Sequence, residues 1–187
     1  MSASKPRLIA VDGIEAAAVI AAARRALGSP ARGGISHWDA SGVFQELAVA
    51  DEAAGAPSPR TLLLLYAADL AFRLRWEIRP ALAEGYTVVA APYVETAVAF
   101  GRAAGIPAGW LANLFRFAPR PAERRFVHRS GRRNKAGVDG FVGFGCHQMR
   151  GKPGGRTPRQ IMTGAARELR KLARRNTRKV KVKSFNS

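Results

Sequence analysis

Two short apolar segments, each followed by a helical pattern, constrain the fold of this chain more than any other feature. Residues 8–12 read Leu-Ile-Ala-Val-Asp, and residues 86–91 read Tyr-Thr-Val-Val-Ala-Ala. Short continuous apolar runs are typical of strands that are buried on both faces of a parallel sheet. A helix after each strand supplies the crossover connection that parallel strands require. The sequence therefore predicts an α/β fold, a three-layer α/β/α sandwich with a parallel sheet.

The predicted helices have recognisable ends. Ser58-Pro59 is a helix start with proline at the first helical position, and Gly28 is a helix stop. Pro80 lies inside the longest helical pattern and should kink or split it. Residues 28–34 are predicted to be a loop, residues 124–130 a further strand, and residues 179–185 an edge strand or a solvated tail. The predicted helices cover residues 14–27, 42–53, 60–84, 93–104 and 107–117.

The basic residues are concentrated in the last third of the chain. The whole chain has 31 Lys and Arg against 13 Asp and Glu, a net charge of +18. Residues 121–187 contain 19 of these basic residues and 3 of the acidic ones, so residues 1–120 are nearly neutral. Such an imbalance is typical of a segment with an anionic partner, most often nucleic acid. We therefore divide the chain into a core at 1–120 and a strongly basic region at 121–187 that completes or extends it.

An amphipathic helix is predicted within the basic region, at about residues 159–175. Ile161, Ala165, Leu169 and Leu172 form an apolar stripe at helical spacing. Aromatic residues are sparse in this region, so we expect phosphate neutralisation rather than base stacking to drive binding. The sequence leaves open whether the region packs on the core or forms an arm. The residues predicted to bind a polyanion are Arg132, Arg133, Arg167, Arg170, Lys171, Arg174 and Arg175.

Several other classes of protein do not match this sequence. The longest apolar run is too short to cross a bilayer and no signal peptide is apparent, so we expect a cytoplasmic protein with no membrane association. The single cysteine, Cys146, cannot form an internal disulfide. Cys146 and His147 lack the spacing of a metal site and the partners of a nucleophile. We predict no metal site and no catalytic residue.

Residues 65–101, LYAADLAFRLRWEIRPALAEGYTVVAAPYVETAVAFG, resemble the central segment of thymidylate kinases, nucleoside monophosphate kinases of the P-loop NTPase superfamily. In that family an aromatic-Ala-x-Asp-Arg helix precedes Ile-x-Pro-Ala-Leu-x-x-Gly and a strand that ends in Asp-Arg-Tyr. The opening LIAVDGIEAAAVI resembles the family's first strand and phosphate-binding loop. The resemblance covers about residues 7–120 and implies a thymidylate-kinase-like fold.

The residues that bind phosphate in that family are replaced in this chain. Glycines let backbone N–H groups surround the phosphates, a lysine neutralises them, and a hydroxyl group holds magnesium. Gly13 is kept, but aliphatic side chains replace the rest of the motif. We therefore expect a degenerate Walker A loop and no Mg-ATP cofactor. The replacements at the two later glycines, the lysine and the hydroxyl residue are Ala16, Ala18, Val19 and Ile20.

The acceptor side of the family's site is also altered. Ala91-Pro92 replaces the Asp-Arg pair, and Leu70 replaces the arginine that helps to hold the nucleoside monophosphate. The part of the family's site that the resemblance still implies is mainly the shape of its pocket. A second candidate lining is the loop His37, Trp38 and Asp39, which lies where the family has Arg-Glu-Pro-Gly-Gly. The remnants of the nucleotide pocket are Gly13, Glu15, Tyr66, Tyr93 and Phe100.

These observations predict a pseudoenzyme, a non-catalytic binding or scaffold protein whose basic region binds nucleic acid or another polyanion. One alternative is a working dTMP kinase with an atypical nucleotide site, in which Arg132 and Arg133 replace the lost lysine. A second alternative is a structural subunit that docks on an acidic protein. The sequence leaves open whether a nucleotide binds, and analogy with kinases of this fold adds a homodimer as a partner to consider.

Overall fold

A computed structural model describes residues 5–28, 32–38, 40–41, 58–127 and 156–185. The strands are β1 (Leu8–Asp12), β2 (Gly33–His37), β3 (Thr87–Ala91) and β4 (Glu123–Phe126). The helices are α1 (Ala16–Leu27), α2 (Pro59–Arg73), α3 (Arg79–Ala83), α4 (Val94–Ala103), α5 (Ala108–Leu114) and α6 (Pro158–Phe185). A π-helical turn, Leu74–Ile78, joins α2 to α3. The helix predicted at residues 42–53 lies outside the described residues.

The four strands form one parallel sheet in the order β2-β3-β1-β4. Ile9 of β1 pairs with Val89 of β3 on one side and with Glu123 of β4 on the other. Because all four strands run in the same direction, their carboxyl ends meet at one edge of the sheet. In open α/β sheets this edge is where ligands bind.

Alternate residues of β1 face two separate apolar cores. Ile9 and Val11 face one side and pack against α1. Leu8 and Ala10 face the other side, where α2, α4, α5 and α6 contribute to a larger core. Successive side chains along a strand point to opposite faces of the sheet, and this alternation produces the division. The sheet is therefore the middle layer of the predicted three-layer α/β/α sandwich.

The long helix after Ser58 accommodates Pro80 without a break. Ser58 Oγ accepts a 3.1 Å hydrogen bond from the Thr61 N–H, which confirms the predicted start. A proline ring clashes with the carbonyl four residues earlier, here that of Trp76. Trp76 lies within the π-helical turn, where the wider winding changes the hydrogen-bond ladder, so the helix stays continuous from Pro59 to Ala83.

Two segments differ from the prediction made from sequence. Part of the predicted loop at 28–34 belongs to the edge strand β2, whose first residues, Gly33 and Gly34, have no apolar side chain to mark a strand. A Cβ atom at position 33 would lie 2.0 Å from the Thr87 carbonyl oxygen, so close pairing with β3 requires glycine there. Residues 179–185, predicted as a strand or tail, are the last turns of α6.

Helix α6 packs on the core along α4. Ile161, Ala165 and Leu169 are buried in the larger apolar core, and Leu172 is half-buried. A Cβ atom at Gly164 would lie 2.9 Å from the Ala103 Cβ, so the absent side chain allows the two helices to approach closely. The amphipathic part of α6 is therefore docked on the sandwich.

Candidate functional site

A three-residue loop, Gly13–Glu15, joins the carboxyl end of β1 to α1. Glu15 is the N-cap residue, and its backbone carbonyl accepts a 2.9 Å hydrogen bond from the Val19 N–H. The helix begins at Ala16, with a run of three alanines and no side-chain cap bond. Glu15, a predicted pocket residue, is half-buried at this position. The segment that resembles a phosphate-binding loop is therefore mostly the first turns of a helix.

Val19 fills the space above Gly13. The Val19 side chain is completely buried and belongs to the apolar core on the α1 face of the sheet, together with Val11 and Val89. A Cβ atom at Gly13 would lie 2.7 Å from Val19 Cγ2 and 3.0 Å from Val127 Cβ. These contacts leave no room for any side chain at position 13, so close packing alone requires the glycine.

A buried carboxyl group ties the end of β1 to the start of α4. Asp12 Oδ1 accepts hydrogen bonds from the Tyr93 N–H (2.9 Å), the Thr96 N–H (2.9 Å) and the Thr96 hydroxyl (2.8 Å). The Gly13 N–H donates in turn to Thr96 Oγ1 at 3.1 Å. Burial is the main cause that raises the pKa of Asp12 to about 6, and the negative charge of Glu95 adds to this effect, whereas the bonds from Thr96 oppose it.

The prediction from sequence missed the role of Thr96. The signal that could have found it is a hydroxyl residue in the first turn of the helix after β3, combined with an acid at the end of β1. Because β1 and β3 are neighbours, those two positions must lie close together. A short hydroxyl side chain at a helix start is well suited to bridge backbone and carboxylate groups.

An aromatic stack closes the space beside the end of β3. The Trp38 and Tyr66 rings are stacked with centroids 4.8 Å apart and an interplanar angle of 23°. Phe115 meets Tyr66 edge-on at 6.1 Å. The Tyr66 hydroxyl donates a 2.6 Å hydrogen bond to the Tyr93 carbonyl oxygen, and its burial raises the pKa of this phenol far above its ordinary range. The structure thus brings two predicted residues, Trp38 and Tyr66, into a stack and ties Tyr66 to the backbone of a third, Tyr93.

A fully buried arginine, also missed from sequence, lies next to this stack. Arg73 Nε donates to Asp69 Oδ2 at 2.8 Å, and its Nη1 donates to the carbonyl oxygens of Pro92 (3.2 Å) and Ser36 (3.4 Å). Asp69 Oδ1 accepts a 2.9 Å bond from the Ser41 N–H. Arg73 Nη2 finds no partner among the described residues. The guanidinium therefore joins the ends of β2 and β3 to α2.

Two further predicted residues, Phe100 and His37, and the side chain of Tyr93 lie in different surroundings. Phe100 is completely buried in the larger apolar core. Tyr93 is also buried, and its hydroxyl donates a 2.7 Å bond to the Pro119 carbonyl oxygen. Burial raises the pKa of Tyr93 to about 12. His37 is exposed at the end of β2, where its Nδ1 hydrogen-bonds to the Trp38 carbonyl oxygen at 2.9 Å.

The predicted residues Asp39, Arg132 and Arg133 lie outside the described part of the chain. The other predicted cations all lie on α6 and are exposed, and they are Arg167, Arg170, Lys171, Arg174 and Arg175. One acidic residue interrupts this surface: Glu168 pairs with Lys171 at 2.7 Å and with Arg102 of α4 at 3.5 Å. The hydrogen bond from Lys171 holds the pKa of Glu168 below its usual range. Exposed positive charge therefore dominates the side of α6 that faces away from the core.

Comparison with solved structures identifies the architecture. No family model matches the chain. The crystal structure of thymidylate kinase from Ehrlichia chaffeensis superposes with a TM-score of 0.63 at 11% sequence identity, over 93% of this chain and 85% of that one. This chain has the fold of a thymidylate kinase. Both the predicted fold class and the predicted resemblance are confirmed.

Two curated relatives match this chain by sequence over a short segment. A probable thymidylate kinase of Pyrobaculum calidifontis is 39% identical over 67 residues, which are 36% of this chain and 35% of the relative. A probable thymidylate kinase of Pyrococcus horikoshii is 41% identical over 58 residues, 31% of this chain and 28% of the relative. The thymidylate kinase-like chain thus matches about a third of these relatives' length. Within its described residues, no helix combines the length and apolar character needed to cross a membrane.

Proposed function

We propose that this thymidylate kinase-like chain does not transfer phosphate from ATP, and that it acts as a binding or scaffold protein whose helix α6 holds nucleic acid or another polyanion. The observation that carries the proposal is the position of Val19, buried against Gly13 at the start of α1. The aromatic stack and the cations of α6 supply further support.

Val19 supports the loss of phosphate transfer because the family resemblance expects a lysine at this position. A chain of phosphates needs positive charge and backbone N–H groups around it, and its magnesium needs oxygen ligands. The Val19 side chain provides neither a positive charge nor an oxygen ligand. Ile20, the next residue, has no hydroxyl group. Mg-ATP therefore does not fit the residues at the start of α1. Phosphoryl transfer depends almost entirely on such positioning and electrostatics.

The acceptor side supports the same proposal. Trp38 covers one face of the Tyr66 ring, and the Tyr66 side chain is completely buried, so a base cannot stack on it in this arrangement. The end of β3 offers Ala91 and Pro92, whose side chains hold neither metal nor phosphate. Side chains of the chain itself thus occupy the space in which the resemblance expects a nucleotide.

The exposed side of α6 supports the polyanion half of the proposal. Helical spacing places Arg167, Arg170 and Arg174 opposite the docked residues Ile161 and Ala165. Because the amphipathic part of α6 is already packed on α4, binding need not order it, and the associated entropy loss is avoided. Neutralising phosphates with such cations releases counterions, which yields an affinity that is indifferent to sequence and steeply dependent on salt.

The polyanion half is tested by fluorescence anisotropy of labelled duplex DNA and duplex RNA at rising salt. Five contacting cations predict a plot of log affinity against log salt with a slope of about −4 to −5 for DNA. The double variant Arg170→Ala with Arg174→Ala should make this slope shallower by about 2. The matched control is Arg24→Ala with Arg25→Ala, which removes two exposed cations from α1 and should leave the slope unchanged. If the chain does not bind DNA or RNA, or if its affinity does not change with salt concentration, the proposed polyanion binding is contradicted.

The catalytic half is tested by ATP consumption in the presence of dTMP and magnesium. We expect no turnover by the natural chain. Turnover would overturn the proposal and favour the alternative of a kinase with an atypical nucleotide site. Co-elution with polyglutamate in gel filtration, without binding to DNA or RNA, would favour the alternative of a subunit that docks on an acidic protein.

A further inference from the structure

Asp12 is a buried carboxyl group that is only half satisfied by the described residues. Its Oδ1 accepts three hydrogen bonds from Tyr93 and Thr96, whereas its Oδ2 has no partner in the part of the chain that the structure describes. The residue is 1% exposed. A carboxylate oxygen without a donor is strongly unfavourable at such a place. Asp12 Oδ2 is therefore a buried acceptor for which the described residues supply no N–H or O–H donor.

A cavity of about 280 Å³ lies against Asp12. Its charged lining residues are Asp12 from β1, Glu95 from the first turn of α4, Arg120 from the segment after α5, and Arg124 from β4. Phe115 provides an apolar wall. The volume is far larger than the roughly 30 Å³ that one water molecule takes up in the liquid, so a single bridging water does not fill it.

The charges around this cavity are of both signs. Glu95 and Arg124 form an ion pair with each other. Within the described residues, Asp12 and Arg120 form no such pair, so one negative and one positive group remain available to a ligand. A ligand with only one charge would leave one of them unmatched. A molecule that carries both an ammonium and a carboxylate group satisfies both.

We propose that this cavity binds a small zwitterion of the amino-acid type. The ammonium group donates a hydrogen bond to Asp12 Oδ2, the carboxylate pairs with Arg120, and the apolar part of the molecule packs against Phe115. The inference does not depend on the proposed function, because it uses neither the start of α1 nor the exposed side of α6.

The experiment measures thermal shifts of the full chain with each standard amino acid at millimolar concentration, followed by calorimetric titration of the strongest ligand. Two analogues of that ligand are then titrated, one with its carboxylate amidated and one without its amino group. We expect at least one amino acid to raise Tm, and both analogues to bind about tenfold or more weakly, since each lacks one charge-assisted hydrogen bond.

Two variants examine the two ends of the cavity separately. Asp12→Asn keeps an acceptor for Tyr93 and Thr96 but removes the charge, and it should weaken binding by about tenfold to a hundredfold. Arg120→Gln changes an exposed side chain, so it preserves the fold, and it should weaken binding by about tenfold. Arg116→Gln, an exposed neighbour that does not line the cavity, is the matched control. Absence of a shift with every amino acid, unchanged affinity in Arg120→Gln, or equal binding of the analogue without an amino group would each overturn the proposal.

Discussion

The loop after β1 and the outer side of α6 differ in what occupies the space beside them. Above Gly13 the space is filled by Val19, and the polar groups of the loop bond to one another through Thr96. Along α6 the side chains of Arg167, Arg170 and Arg174 extend into solvent. The first region contributes to the stability of the fold, whereas the second contributes positive charge. Changes in the first region should therefore alter folding, and changes in the second should alter binding alone.

Replacing Val19 by lysine is expected to have the largest effect. The side chain is completely buried among aliphatic residues, so the variant places an ammonium group there without a partner. We expect the free energy of unfolding to fall by more than about 4 kcal/mol, and no ATP turnover to appear. Urea denaturation measures the loss. The control is Ile20→Lys at the half-buried next position, which should cost much less. A Val19→Lys chain as stable as the natural one would mean that the space above Gly13 is open.

Asp12 should make stability depend on pH. Its ordinary pKa of 3.8 applies to the unfolded chain, and burial raises the folded value to about 6. Between these values the folded state binds more protons than the unfolded state, so stability falls as pH rises from about 4 to about 6. The loss amounts to about 3 kcal/mol at most, since one pKa unit corresponds to about 1.4 kcal/mol. Urea melts of the natural chain and of Asp12→Asn at several pH values should converge at acidic pH and separate above it; parallel curves would refute this origin.

Substituting alanine for Gly13 tests the tight contact with Val19. The added Cβ would lie 2.7 Å from Val19 Cγ2, so the variant should lose about 1–3 kcal/mol of stability. Shortening the neighbour makes room, so Val19→Ala should cost less in the Gly13→Ala background than in the natural chain. Denaturation of the four chains of this double-mutant cycle gives the coupling. Simple additivity would show that the two side chains do not compete for space.

The smallest effect on stability is expected on α6. Arg170→Ala combined with Arg174→Ala should change the free energy of unfolding by no more than about 0.5 kcal/mol, because both side chains are exposed. The same double variant should make the salt dependence of DNA binding shallower. Urea denaturation and anisotropy on one preparation measure both quantities. A large loss of stability would remove the distinction between the two regions.

The elements with strong local signals were predictable from sequence. The apolar runs of β1 and β3 are buried strands. Ser58 caps the start of α2, as its hydroxyl side chain indicates. The edge strand β2 was missed because Gly33 and Gly34 give no apolar pattern, and only pairing with β3 makes the segment a strand. The alternation of Lys and Val at 179–183 has the period of a strand, yet a helix that is already packed on the core continues through it.

The candidate site was predictable in location but not in its contacts. The carboxyl ends of β1 and β3 were identified through Gly13 and Tyr93. The bonds of Thr96 to Asp12 and those of Arg73 to Ser36 and Pro92 connect residues far apart in the chain. Such contacts depend on strand order and on helix rotation, which local patterns do not specify. The roles predicted for Glu15, Tyr66 and Phe100 stay predictions.

Gly13 also bears on how relatives of this fold are recognised from sequence. A glycine after the first strand is usually taken as a trace of phosphate binding. In this chain a Cβ atom at that position would collide with Val19, six residues later, so packing alone accounts for the glycine. A glycine at that single position is therefore no evidence, by itself, for or against phosphate binding.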